Sequence, residues 1–148
     1  MVETVQVIGA GRVGSAIAAR LAQRGVELRE DGAELVLFCV PDTAIADTAA
    51  RIAPGPWVAH VSGATPLAAL APHVRRFGLH PLQTFTQARG PEQLDGAWAA
   101  VTAETAEARE LGFEQEGLAI ARSAIRSTEA RLFGLLRHYS THPRRPPA

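Results

Sequence analysis

Apolar residues along this chain follow two rhythms. Short uninterrupted runs bounded by glycine, proline or charged residues read as strands buried on both faces. Stretches with an apolar residue at every third or fourth position read as one face of a helix. The first run, Thr4–Gly11 ("TVQVIGAG"), is followed by Val13, Ile17 and Leu21 at four-residue spacing, with Arg20 and Arg24 in the last turn and Gly25 as the stop. "ELVLFCV" (Glu34–Val40) predicts a second buried strand, and "TAIADTAARIA" a helix with Asp42 as its N-cap. "WVAHVSG" (Trp57–Gly63) predicts a third strand, after which Thr65 and Pro66 open a short helix through Leu70. "RRFGLH" (Arg75–His80) and "AWAAVTA" (Ala97–Ala103) give a fourth and a fifth strand, and helical spacing returns over Glu104–Leu111 and much of Leu118–Arg137. Strands alternating with helices predict a parallel sheet covered on both faces, whose ligands bind beyond the carboxyl ends of the strands.

The spacing is irregular in one place. Only "VELREDGA" separates the first helix from "ELVLFCV", whereas a full parallel crossover with its helix needs at least about 10–12 residues. "VELRE" is therefore expected to be a short edge strand with Asp31-Gly32 as the turn after it, an abbreviated second strand–helix unit.

Composition narrows the class. The chain has 148 residues, 47% of them hydrophobic and 20% charged, as in a single globular domain. No apolar run reaches the roughly 18 residues of a membrane span, and "MVETVQVIG" lacks the basic start and apolar centre of a signal peptide. The lone Cys39 sits inside "LVLFCV" and is expected to be a buried thiol in a reducing compartment, which places the protein in the cytoplasm. All fifteen basic residues are arginine, so Schiff-base and lysine general-base chemistry are excluded. The net charge of zero divides unevenly: residues 1–116 hold nine Arg against fourteen Asp and Glu, and residues 117–148 hold six Arg against Glu129 alone. Without aromatic interleaving or a recognisable module, the basic end is expected to be a solvated helix face and a frayed tail, and nucleic acid is not the expected partner.

Candidate chemistry collects at the predicted strand ends. Gly9-Ala10-Gly11-Arg12-Val13-Gly14 is a G-x-G-x-x-G turn between a buried strand and a helix, the context a dinucleotide site requires. Gly9 permits the tight turn, Gly11 lets a pyrophosphate approach the backbone, and Gly14 lets helix and strand pack closely. The helix N-terminus then offers N–H groups to the phosphates, and Arg12 a charge-assisted contact. The acid expected on the ribose has no clear occupant: Glu30 or Asp31 could reach it, while Arg29 could meet a 2′-phosphate. The next three strands end in Val40-Pro41-Asp42, Ser62-Gly63 and His80-Pro81. Small residues at Ser62-Gly63 leave room for a flat ring, and His80 can give or take a proton near neutral pH. His60, on the same face as Ser62, is expected only to orient that neighbourhood.

These pieces carry a resemblance. The glycine turn, "CVPD" (Cys39–Asp42), "HVSGA" (His60–Ala64) and "HPLQTF" (His80–Phe85) occur in the order and spacing of a bacterial family of Rossmann-like proteins with a C-terminal helical domain of unknown function. That family is similar to the deazaflavin-dependent NADP oxidoreductases, pyrroline-5-carboxylate reductases and 6-phosphogluconate dehydrogenases. The resemblance covers about residues 4–116. It implies a doubly wound, mainly parallel α/β sheet binding NADP(H) or NAD(H). A more distant similarity to prephenate dehydrogenases, whose corresponding serine and His-Pro face the substrate, implies such roles for Ser62 and His80.

Members of that family continue into a helical domain that typically dimerises and closes the active site, and this chain stops where it should begin. A truncated or shifted reading frame is one explanation, and a partner chain that supplies the domain is another. The expected organisation is an NAD(P)-binding domain over residues 1–116, a helix over 117–137 that is a remnant of the helical domain, and a disordered basic, proline-rich tail over 138–148. The expected function is an NAD(P)-dependent oxidoreductase acting on a small carbonyl, imine or hydroxy compound, with NADP as cofactor, NAD as its alternative, and a homodimer or partner chain completing the site. A non-catalytic dinucleotide-binding module or sensor is the alternative.

Overall fold

The computed structural model describes residues 2–119 and 124–126. Seven strands form one sheet in the order β2-β1-β3-β4-β5-β6-β7. They are β1 (Thr4–Ile8), β2 (Glu27–Leu28), β3 (Leu35–Phe38), β4 (Trp57–His60), β5 (Arg76–Pro81), β6 (Ala99–Ala103) and β7 (Ala124–Arg126). Helices α1 (Arg12–Gln23) and α3 (Ala106–Ala119) lie on one face, packed with each other and, for α3, on β5 and β6. Helix α2 (Ile45–Ala50) and a 3-10 turn over Leu67–Leu70 cover the other face.

The uninterrupted apolar runs follow from this double cover. Along β3, Leu35 and Leu37 join the core under α1 and α3, while Val36 and Phe38 join the core under α2. Ile17 and Leu21 of α1 are fully buried, as their spacing predicts. Each such side chain contributes about 1.5–3 kcal/mol of transfer free energy, so the central strands hold both layers.

The abbreviated unit behaves as its length demands. β2 has two residues, and its Leu28 pairs with Val5, the residue that also pairs with Leu35 of β3. The chain thus crosses from one side of β1 to the other at a single level. Two inter-strand spacings, about 9.6 Å, are within reach of the six residues 29–34 without a helix. Gly32, at φ +61°, makes the turn, as Asp31-Gly32 predicted.

The sheet is mainly parallel, as expected: the pairs from β2 to β5 and the β6–β7 pair are parallel, and β6 runs antiparallel to β5, with Pro81 opposite Ala99. The connection 82–98 packs its 3-10 turn, Pro91–Leu94, against α1 and returns to the end of β5 that it left, where the Leu82 N–H bonds the Trp98 carbonyl, so β6 runs the opposite way. Two expectations are corrected. Asp42 is not an N-cap: no side-chain cap bond forms, and a 3-10 turn over Asp42–Ala44 precedes α2. The final helix expected over 117–137 is interrupted. Residues 117–119 end α3, residues 124–126 form strand β7 beside β6, and the rest of that segment, like the tail 138–148, lies outside the described residues.

Candidate functional site

The glycine turn shows three different reasons for glycine. At Gly9, φ is +113° and a Cβ would overlap the carbonyl oxygen of Cys39. At Gly14 a Cβ would overlap the carbonyl oxygen of Gly9, so this residue sets how closely α1 approaches β1. At Gly11 a Cβ would meet no atom within 4 Å. Packing therefore demands the first and third glycines, whereas the second keeps open a space that the chain itself does not fill. Ser15 closes the turn from inside the helix, donating its hydroxyl to the Ala10 carbonyl at 3.1 Å and its backbone N–H to that of Gly11 at 3.0 Å.

Above this turn is a cleft of about 310 Å³. Gly11, Arg12 and Ser15 line one side, and Thr86, Arg89 and Pro91 of the β5–β6 connection line the other. Val13 packs half-buried on the core below, and Ala10 is exposed at the rim.

The other predicted residues meet at the same carboxyl edge. The ladder continues past the strands through Cys39 N–H to Ile8 C=O (2.7 Å) and Val61 N–H to Phe38 C=O (3.4 Å). Val40-Pro41-Asp42 and Ser62-Gly63 thus leave adjacent strands beside the glycine turn, with Pro41 and Asp42 exposed. His80, in β5, is half-buried. Its Nδ1 is 3.0 Å from the Val61 carbonyl oxygen. A carbonyl only accepts, so Nδ1 carries the hydrogen and Nε2 of the neutral ring is the acceptor. The ring lies over Gly63, whose Cβ would stand 2.7 Å from Nε2.

Ser62 is committed to its own turn. Its Oγ accepts the backbone N–H groups of Ala64 (3.2 Å) and Thr65 (3.0 Å) and donates to Thr65 Oγ1 at 2.8 Å. One donor and two acceptor sites are all a hydroxyl has, so in this conformation the side chain shapes the turn. His60 is buried against Gly78, and its Nδ1 accepts the Ser62 N–H at 3.2 Å, the orienting part expected of it. Cys39, half-buried behind Gly9 and Gly14, has its thiol pushed up to about 12 by desolvation and stays protonated at neutral pH.

The residues proposed for the ribose are elsewhere. β2 ends level with Val5, three residues short of the end of β1. Arg29 is paired with Glu27 at 2.8 Å on the exposed edge. Glu30 and Asp31 line a separate groove on the α2 face with Gln6, Val36 and Arg51. Three residues that shape the cleft escaped the sequence reading: Arg89, Gln93 and Arg20. By sequence Arg20 is a basic residue of a helix's last turn, yet it is buried and bonded to Pro91 and Asp95. Its one sequence signal was its place on the α1 stripe, three residues after Ile17.

No protein-family model and no curated protein matches the sequence. Solved structures do match in fold. An NADP oxidoreductase from Bacteroides fragilis superposes with a TM-score of 0.70 at 18% identity, over 94% of this chain and 66% of its own. An NADH-preferring ketol-acid reductoisomerase from an uncultured archaeon gives 0.67 at 14% identity, over 93% and 56%. A semialdehyde dehydrogenase NAD-binding protein from Cupriavidus necator, solved with NAD and calcium, gives 0.62 at 23% identity, over 86% and 62%. The chain therefore spans about 56–66% of the length of these proteins, and its fold is the Rossmann-like α/β fold that they share.

Proposed function

We propose that this chain is the NAD(P)-binding part of an oxidoreductase that moves hydride to or from a small carbonyl, imine or hydroxy compound. The observation that carries the reading is the open space at Gly11, between two glycines that packing fixes. A fold needs no glycine there, and a pyrophosphate at a helix N-terminus does. Gly9-Ala10-Gly11-Arg12-Val13-Gly14 hold the pyrophosphate, and Val40-Pro41-Asp42 with Ser62-Gly63 line the nicotinamide. The dinucleotide supplies or receives the hydride when bound. His80 handles the proton: with Nδ1–H held by Val61, Nε2 takes the hydroxyl proton during oxidation and, protonated, returns it to the oxygen during reduction. NADP(H) is the preferred cofactor and NAD(H) the alternative. A second copy of the chain or a partner chain closes the substrate in.

A second reading is a dinucleotide-binding module without turnover, favoured by the full engagement of the Ser62 hydroxyl within its turn. Cofactor oxidation with a panel of small oxo acids separates the two. Under the first reading, His80→Ala abolishes turnover and leaves cofactor affinity within about two-fold. A large loss of cofactor affinity would make His80 a cofactor-facing or structural residue.

A further inference from the structure

The connection from β5 to β6 forms the second wall of the glycine-turn cleft, and two buried polar side chains fix its shape. Gln93, 2% exposed, accepts the Thr86 N–H at 2.9 Å through Oε1. Its Nε2 lies 3.2, 2.9 and 3.0 Å from the carbonyl oxygens of Thr86, Arg89 and Gly90. Arg20 of α1, 5% exposed, donates through Nη2 to the Pro91 carbonyl at 2.8 Å and to Asp95 Oδ1 at 2.5 Å. Burying an amide and a guanidinium is costly unless their bonds offset it. Most of these bonds go to the backbone of residues 86–91, so they set the curvature of that segment and its distance from α1.

What the segment presents to the cleft is Arg89, across from Gly11 and Arg12. Its side chain is half exposed, and its ion pair with Glu92 is long, at 4.0 Å. The Glu92 oxygen in that pair already accepts the Gly90 N–H at 2.9 Å. Arg89 thus lines the cleft together with Arg12 and the N-terminus of α1, and an anion between them would meet positive charge from both walls.

Resting on the dinucleotide reading above, we propose that Arg89 is a second pyrophosphate ligand, approaching from the side opposite the α1 N-terminus, with Gln93 and Arg20 as its positioning residues. The pyrophosphate is the group that sits at such a helix N-terminus. The 2′-phosphate belongs to the adenosine end, and no residue of 26–33 lines this cleft.

Calorimetric titration of the full chain with NADPH and with NADH tests the assignment. Arg89→Gln weakens both cofactors by the same factor, about ten-fold for a charge-assisted contact that stays partly solvated. Arg89→Lys restores part of the loss, because a point charge replaces the fork. Gln93→Ala, with its melting temperature followed in parallel, weakens both to a similar degree, and adding Arg89→Gln to it costs little more. If Gln93→Ala does not fold, Arg89→Gln and Arg89→Lys decide. Wild-type binding with Arg89→Gln unchanged overturns the inference and leaves the dinucleotide reading standing. A loss confined to NADPH also overturns it, by placing Arg89 on the 2′-phosphate. No binding by the wild-type chain removes both.

Discussion

Gly63→Ala sets the fit between His80 and its turn against a favourable background, so the sign of the effect is informative. The φ of Gly63 is one that alanine adopts, and the substitution would ordinarily stabilise by about 0.4–1 kcal/mol through the unfolded chain. The added Cβ, however, would stand 2.7 Å from His80 Nε2, 2.9 Å from Cδ2 and 3.1 Å from Cε1. Ordinary contact needs about 3.5 Å or more, so the ring must retreat by nearly 1 Å. It is held by the bond from Nδ1 to the Val61 carbonyl at 3.0 Å, worth about 0.5–1.5 kcal/mol. Overpacking of this kind costs about 1–3 kcal/mol. The expected net is a destabilisation of about 1–2 kcal/mol, a fall of about 2–8 °C in melting temperature for a domain of this size. Long-range proton–nitrogen spectra of the imidazole should lose the Nδ1–H tautomer pattern. Adding His80→Ala should recover most of the lost stability, since the clash is then gone. A Gly63→Ala protein at least as stable as the wild type, with His80 spectra unchanged, would show that the ring does not lie over Gly63.

Ser62→Ala removes the acceptor of two backbone N–H groups in a partly buried turn and should cost about 0.5–1.5 kcal/mol, measured by urea unfolding. Cofactor affinity should change less than about three-fold; a loss of affinity with stability intact would put the hydroxyl on a ligand instead. Cys39 should react with a disulfide reagent at pH 8 only after denaturation, because burial holds its thiol up at about 12. Its folded value lies above the unfolded one, so the folded state keeps the proton more tightly. The stability this gives is complete below pH 9 and is lost as the pH rises from 9 toward 12. Chemical melts across that range, compared with Cys39→Ala, would register the difference.

The fold was legible where local chemistry decides it. The run Leu35–Phe38 is apolar on both faces because both faces are covered, and the crossover after β2 was betrayed by a simple count of residues. The direction of β6 was not legible. "AWAAVTA" reads the same in either sense, and its direction is set by the loop 82–98, which packs on α1 and returns to the end of β5 that it left. The strand Ala124–Arg126 fell inside a helix-like spacing, where pairing with β6 overrides local preference.

The candidate site divides in the same way. Gly9, Gly11 and Gly14 carry their roles in their spacing, and His80 in its place at a strand end. Ser62 is ambiguous in sequence, since a serine before Gly-Ala-Thr serves a turn as readily as a substrate. Arg20 depends on contacts with residues 71 and 75 positions away, which no local pattern encodes, and Gln93 and Arg89 depend on how the loop 86–93 curls on itself beside α1. The ribose acid stayed open in sequence, and β2 stops level with Val5, so Glu30 and Asp31 line a groove other than the cleft at the glycine turn.

The central claim is that the space at Gly11 exists for a dinucleotide. The most direct measurement is a calorimetric titration of the wild-type chain and of Gly11→Asp with NADPH and NADH. Aspartate is a favourable residue at the helix N-cap that Gly11 occupies, and its Cβ meets no protein atom within 4 Å there. Its carboxylate, however, occupies the pyrophosphate space and repels it. The account predicts micromolar binding by the wild type, and a Gly11→Asp protein that melts at the same temperature or higher yet binds neither cofactor. Unchanged binding by Gly11→Asp, or a wild-type chain that binds neither NADPH nor NADH, would contradict it.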